Sequence, residues 1–236
     1  MGYPFSEMSL GGVLGVFLNI DLGELPDEPE ELYRLAHVAN VALGAHAGDA
    51  GTIARARERC GTGGALLGAH PSYPDREGFG RRKLEMPAAE LGESVAEQCA
   101  RLADAVYLKP HGALYHAADA DPALAAAVLD GAAVLGRPTV IGPAGGALEA
   151  AARAKGWPYA REGFADRGFR ELAPGRYALL PRGQLGALLG VEAARAQAKA
   201  LLDAGHIDTI CVHGDTPDAV AIATAVRELL DARSPR

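Results

Sequence analysis

Asp21, His46, His70, His111 and His213 each stand at the end of a short apolar run, at 16–20, 38–44, 65–69, 106–108 and 209–212. Imidazole and carboxylate groups exchange protons in the working pH range of enzymes, and in clusters they also bind divalent metals. Residues just past the carboxyl ends of parallel strands converge on one rim, where the active sites of α/β folds are built. The repetition therefore predicts that these side chains share one pocket as base, acid or metal ligands. Asp21, His46 and His70 are the candidates for a divalent metal. The sequence has no H-E-x-x-H, so a metal site would be assembled in space rather than from one short motif.

Lys109 ends the fourth apolar run, and a lysine placed there needs an anionic partner: a carboxylate, a phosphate or a developing oxyanion. The only other lysines are Lys83, Lys155 and Lys199, and the only asparagines are Asn19 and Asn40, both on strand-end segments. With acids or histidines nearby, their amides are expected to make specific hydrogen bonds, and both are candidates for binding substrate. Residues 68–82 pack His70, Asp75, Glu77, Arg76, Arg81, Arg82 and Tyr73 into a stretch whose prolines and glycines bar regular helix. Such a loop either orders around a ligand, with Asp75 and Arg82 touching substrate, or is simply solvated.

Glu162, Asp166 and Arg167 form another candidate substrate-binding group, with an internal Asp–Arg pair as the alternative. His213 and Asp215 lie two residues apart on one extended segment and so point the same way. Asp49 either caps a helix or joins the site. His37, His116 and His206 read as structural or surface residues.

The elements that must position these groups alternate: strands near 14–20, 38–44, 65–70, 106–111, 139–143, 158–164 and 209–213, mostly separated by helices. Asp121-Pro122 and Thr216-Pro217 read as helix starts, each an acceptor at the N-cap followed by proline. Leu91, Val95, Cys99 and Leu102 fall on one face of a helix between 87 and 105, and 217–232 behaves similarly. Alternating β and α units imply a parallel sheet, and seven of them favour a distorted (β/α) barrel over an open sheet. There is no G-x-G-x-x-G after the first strand and no G-x-x-x-x-G-K-[ST] anywhere, while residues 142–146 read as a tight turn or a weak phosphate loop. Residues 165–190 fit the alternation poorly and hold an extra strand at 177–180.

The chain has 236 residues, 49% hydrophobic, and a formal charge of -7. That length suits a single barrel domain over 1–236, with 1–12 as an N-terminal extension. The negative charge and the lack of a basic run argue against nucleic acid or anionic membrane as partners and favour a small molecule. Residues 10–20 are apolar but too short for a membrane span, and no Lys or Arg precedes them. Cys60, Cys99 and Cys211 form no CxxC pair, which fits a reducing cytoplasm.

Six blocks in order resemble the LamB/YcsF family, the A subunits of ATP-hydrolysing 5-oxoprolinase. They are Asn19-x-Asp21-Leu22-Gly23-Glu24; Asn40 with Gly44-x-His46-Ala47-Gly48-Asp49; His70-Pro71 through Arg82; Lys109 through Tyr115; Glu162 through Arg167; and Cys211 through Pro217. The resemblance implies a glycoside hydrolase/deacetylase-like barrel. It also implies opening of the lactam of 5-oxo-L-proline to L-glutamate with ATP hydrolysis, alongside partner subunits B and C that carry much of the activation. Phe17, Ile20, Leu43 and a short loop after Glu24 depart from the family pattern and point to a different pocket wall near the first two strands. Two other readings fit the same residues: a stand-alone metal-dependent amide hydrolase or deacetylase, and a non-catalytic lactam-binding scaffold.

Overall fold

The computed structural model describes residues 15–233, so the expected N-terminal extension at 1–12 lies outside the described residues. In chain order the elements are β1 (Phe17–Leu22), α1 (Glu30–Leu35), β2 (Val38–Ala42), α2 (Ala50–Gly63), β3 (Leu66–His70), α3 (Ala88–Ala100), β4 (Tyr107–Leu108), α4 (Gly112–Ala120) and α5 (Pro122–Gly131). A 3-10 turn (Ala132–Leu135) follows, then β5 (Thr139–Gly142), α6 (Ala147–Ala154), β6 (Tyr159–Phe164), β7 (Phe169–Ala173), β8 (Arg176–Leu179), α7 (Val191–Ala204), β9 (Thr209–His213) and α8 (Ala219–Asp231).

Seven strands close a parallel barrel in the order β1-β2-β3-β4-β5-β6-β9, as the alternation predicted. Closure sets Asp21 opposite His213 between β1 and β9, and Glu162 opposite Thr209 between β6 and β9. The irregular stretch 165–190 contributes no barrel strand. It forms the antiparallel hairpin β7–β8, whose second strand is the extra strand expected there.

Side chains alternate across each strand, so one row meets the helices and the next fills the barrel. Leu18, Ile20 and Leu22 face outward into the main core and are fully buried. At the amino-terminal end the inward rows are apolar, with Val38, Ile141 and Ala160 packing with Phe17, Leu66 and Tyr107. Towards the carboxyl ends they turn polar, with Asn19, Asp21, Asn40, His70 and Glu162 all buried. Strands that are apolar throughout, the usual rule for parallel sheets, are therefore not what this barrel has.

The helix signals divide. Leu91, Val95, Cys99 and Leu102 are fully buried on and just after α3. Asp121 caps α5 by accepting from the Ala123 and Leu124 amides. Asp49 caps α2 in a reciprocal capping box with Thr52, which settles its role as structural. Thr216 does not cap α8: that helix starts at Ala219 after Asp218, and the Thr216 hydroxyl donates to Asp166. Residues 142–146 form a turn leading into α6. Among the described residues no helix is long and apolar enough to cross a membrane.

A candidate active site at the barrel mouth

The deepest layer is a network around one ammonium group. Lys109, just past β4, places Nζ 2.8 Å and 3.1 Å from the two carboxylate oxygens of Asp21, 2.9 Å from Glu162 Oε1 and 3.2 Å from Asn19 Oδ1. The Cys211 sulfur lies 3.0 Å away. Asn19 donates to Glu162 and to Thr209, and Asn40 donates to both Asn19 and Asp21. Gly68 leaves the space this requires, since a Cβ there would come within 2.5 Å of Asn40 Oδ1. Burial disfavours every charge in the network, yet Asp21 holds the Lys109 pKa well above its ordinary value and Lys109 holds Asp21 well below. The group is an ion triad that is costly to bury and more costly to break.

Above this layer three imidazoles surround one carboxylate. Glu24, in the loop after β1, sets Oε1 3.1 Å from His46 Nε2, 3.2 Å from His111 Nδ1 and 3.8 Å from His70 Nε2. His70 Nδ1 faces the Lys109 carbonyl at 2.7 Å and His111 Nε2 faces the Phe79 carbonyl at 2.9 Å. Each carbonyl accepts an N–H, which fixes the tautomer and turns the other ring nitrogen inward. The rings of His46 and His111 stack with centroids 3.8 Å apart. Burial lowers the His46 pKa to about 4 and also lowers that of His111. Burial resists ionisation of Glu24 as well, but the His111 and His46 rings set against Oε1 hold it as a carboxylate.

Each part is braced. The Glu28 carboxylate accepts from the amides of Gly23, Glu24 and Leu25 and from the Tyr33 hydroxyl, locking the Glu24 loop. Arg76 binds the carbonyls of Gly44 and Gly48, and Arg101 that of Leu43, around His46. The Gln98 amide of α3 clamps the Ser72 backbone in both directions beyond His70.

His213, ending β9, is the third component. Its Nδ1 lies 3.1 Å from both oxygens of Asp166, its Nε2 lies 3.7 Å from Asp21 Oδ2, and Asp166 also accepts from Thr216 at 2.5 Å. Burial would lower the His213 pKa, but the Asp166 carboxylate beside it wins and raises it. A buried carboxylate, an imidazole and an open cavity in line make a proton-transfer pair.

A cavity of about 240 Å³ opens here between the barrel mouth and the β7–β8 hairpin, with Asp21, His70, Lys109, His111 and His213 on its floor. Leu179, Leu180 and Arg182 form the hairpin side of its wall, and Arg167 lies beneath. Across the rim, Asp215 binds Arg81 at 2.6 Å and Arg182 at 2.9 Å. His116 is exposed at the cavity edge.

Most of the residues singled out in the sequence are thus brought together, but Asn19, Asn40 and Glu162 bond within the buried network rather than lining the cavity, and three more are placed otherwise than expected. Asp75 accepts from the Gly78 and Arg82 amides and from Arg82 Nε, so the two partners staple their own loop, with the Arg82 side chain 60% exposed. Neither lines the cavity. Arg167 does not present a free fork, because Nε and Nη2 donate to the carbonyls of Ala187 and Leu180. Sequence reasoning assigned no role to Glu24, Cys211, Arg81 or Arg182. Glu24 had a usable signal, since it lies three residues past Asp21 on the same strand-end segment; the two arginines had none beyond their charge.

A closed parallel barrel with acids, imidazoles and a buried lysine gathered at the carboxyl ends of its strands defines a (β/α)-barrel protein of enzymatic type. A sequence model of the LamB/YcsF family matches residues 16–236, and the chain belongs to that family. It is 39% identical over 243 residues to the 5-oxoprolinase A subunit of Methylococcus capsulatus, covering 92% of each chain. It is likewise 39% identical over 241 residues to that of Nocardia farcinica, covering 91% of this chain and 95% of the relative. Among solved structures, the lactam utilization protein from Thermus thermophilus superposes with a TM-score of 0.81 at 30% identity, covering 93% of this chain and 97% of that one. A family 4 carbohydrate esterase from Streptomyces lividans shares the fold alone, with a TM-score of 0.54 at 11% identity over 93% of this chain and 89% of that one.

Proposed function

We propose that the chain is the A subunit of a 5-oxoprolinase and supplies the cavity in which the lactam of 5-oxo-L-proline is opened to L-glutamate. The observation that carries this reading is the His213–Asp166 pair beside Asp21 and Lys109 on one cavity floor, in a chain whose relatives bear that name. The cavity, about 240 Å³, lies below the ~300–1,000 Å³ of sites for drug-sized ligands and suits a small cyclic substrate. Arg81 and Arg182 meet one carboxylate, Asp215, at the mouth, which leaves net positive charge on the rim for the carboxylate of the substrate.

An unstrained lactam is a poor electrophile. Transfer of the γ-phosphoryl group of ATP to the lactam oxygen, with partner subunits B and C supplying the nucleotide site, gives the ring carbon a leaving group. Water then adds to that carbon, the C–N bond breaks with its electron pair going to nitrogen to leave an acyl phosphate, and a second water hydrolyses that acyl phosphate to the side-chain carboxylate and inorganic phosphate. His213, held by Asp166, takes the proton from water and returns it to the nitrogen. Lys109 and Asp21 fix the field in which that charge moves, and Asn19, Asn40 and Glu162 hold the pair in register.

The test is reconstitution with subunits B and C, ATP and 5-oxo-L-proline, following ADP and glutamate together. Release of both is expected. A correctly assembled, folded complex that forms no glutamate would overturn the assignment.

A further inference from the structure

We propose that Glu24, His46, His70 and His111 form a binding site for one divalent first-row transition ion, with zinc the best match. This inference does not rest on the lactam reading. The four residues, all buried, each offer a donor atom within 4.8 Å of the others. A tetrahedral zinc site with bonds of about 2.0–2.1 Å sets neighbouring ligand atoms about 3.4 Å apart. Here Glu24 Oε1 stands 3.1, 3.2 and 3.8 Å from the three imidazoles, and His111 Nδ1 stands 3.0 Å from His70 Nε2.

The hydrogen-bond pattern points to a cation at the centre. His70 Nδ1 and His111 Nε2 already face the carbonyls of Lys109 and Phe79, so in the neutral rings the nitrogens that meet each other both carry lone pairs. Two lone pairs 3.0 Å apart beside a carboxylate repel unless a positive centre lies between them. Backbone carbonyls behind ligand imidazoles are the usual outer support of a metal site. Phe79 adopts φ 55, rare for a residue with a side chain, to aim its carbonyl at His111. Gly80 follows with φ 66, where a Cβ would come within 2.9 Å of both His111 and His46. Three imidazoles with one carboxylate suit zinc better than calcium or magnesium, which prefer all-oxygen shells.

A second donor group, Asp21 with Cys211 and His213, is also close enough for a metal. It is already filled by the Lys109 ammonium, 2.8 Å from Asp21 and 3.0 Å from Cys211, so a second cation there would meet direct repulsion. Among the described residues no lysine or arginine takes that position at Glu24, whose ion-pair partners are His46, His70 and His111. Occupancy requires the stacked rings of His46 and His111 to tilt apart, so that each lone pair points at the ion.

Elemental analysis of the untagged full chain, purified without chelator, is expected to give about one zinc or similar ion per chain. Removing that ion and adding zinc should raise the unfolding temperature, and adding cobalt should give visible absorption bands without a thiolate charge-transfer band. Glu24→Gln and His111→Ala should each weaken zinc binding by at least about 10–100-fold, while Cys211→Ser leaves the cobalt spectrum unchanged. A wild-type chain that carries no metal, shows no zinc-dependent shift and gives no cobalt bands would overturn the proposal even if a variant failed to fold. So would a thiolate band, or loss of the spectrum in Cys211→Ser, since either would move the ion to the other group. Failure to form glutamate with the partner subunits bears only on the lactam reading.

Discussion

Lys109 and Asp21 meet inside the barrel, Nζ 2.8 Å from one carboxylate oxygen and 3.1 Å from the other, with both side chains almost fully buried. Glu162 completes the triad at 2.9 Å. Removing the cation leaves two carboxylates without compensation. Lys109→Met is therefore expected to destabilise the fold by about 3–5 kcal/mol. Combining it with Asp21→Asn should cost less than the sum of the single changes, a coupling of about 0.5–3 kcal/mol readable by denaturant unfolding of all four proteins. Strict additivity would show that the pair is not coupled.

Asp166 lifts the His213 pKa above its ordinary 6.5 against the opposing effect of burial, with Asp21 assisting and Lys109 opposing. As a base His213 must be neutral, so kcat/KM of the reconstituted enzyme should rise with pH through that raised value. Asp166→Asn should move the inflection to lower pH and reduce kcat by about 10²–10⁴-fold. A pH profile that Asp166→Asn leaves in place would remove His213 from the proton path.

The same shift has a consequence for stability. A group whose folded pKa is raised stabilises the fold fully below its unfolded pKa, about 6.5, and loses that contribution as pH climbs through the folded value. Unfolding free energy from the His213–Asp166 pair should therefore decline on the alkaline side of pH 6.5. Comparing wild type with His213→Gln across pH 5.5–9 tests this, because the difference between them should shrink as pH rises.

Gly80 has φ 66 and presses against the histidines, its absent Cβ leaving room beside His111 and His46. Gly80→Ala should cost about 1–3 kcal/mol through the left-handed backbone and the contact together. Imidazole resonances of His46 and His111 should shift with it, whereas a surface glycine changed to alanine would leave them in place.

Arg167 ties the β7–β8 hairpin to the barrel through the carbonyls of Leu180 and Ala187. Lysine cannot span both with one ammonium. Arg167→Lys should raise amide hydrogen exchange in 176–190 and raise KM more than it lowers kcat, while exchange in β1 and β9 stays slow. Uniformly faster exchange over the whole chain would mean that the arginine supports the fold rather than the hairpin.

The barrel was legible because its strands are short apolar runs with polar residues at their ends, and parallel topology sends all of those ends to one rim. Asp21, His46, His70, Lys109, His111 and His213 could be gathered on that ground alone. Asp75 and Arg82 could not be placed, because two opposite charges seven residues apart look the same whether they face a ligand or each other. Thr216-Pro217 carried a good helix-start pattern, but the demand of buried Asp166 for a donor drew Thr216 away. Glu24 escaped because its role depends on three histidines from elsewhere in the chain.

Because β6 hydrogen-bonds directly to β9, the wall of the vessel is complete without the insertion at 168–190, which begins after Asp166 and Arg167. Length and composition in that insertion can change without cutting a single rung of the ladder or disturbing the charges sealed below. Leu172 and Leu185, 54% and 98% exposed on this insertion, can vary with whatever they meet. The inner chemistry and the outer fittings of this protein are thus free to diverge at different rates.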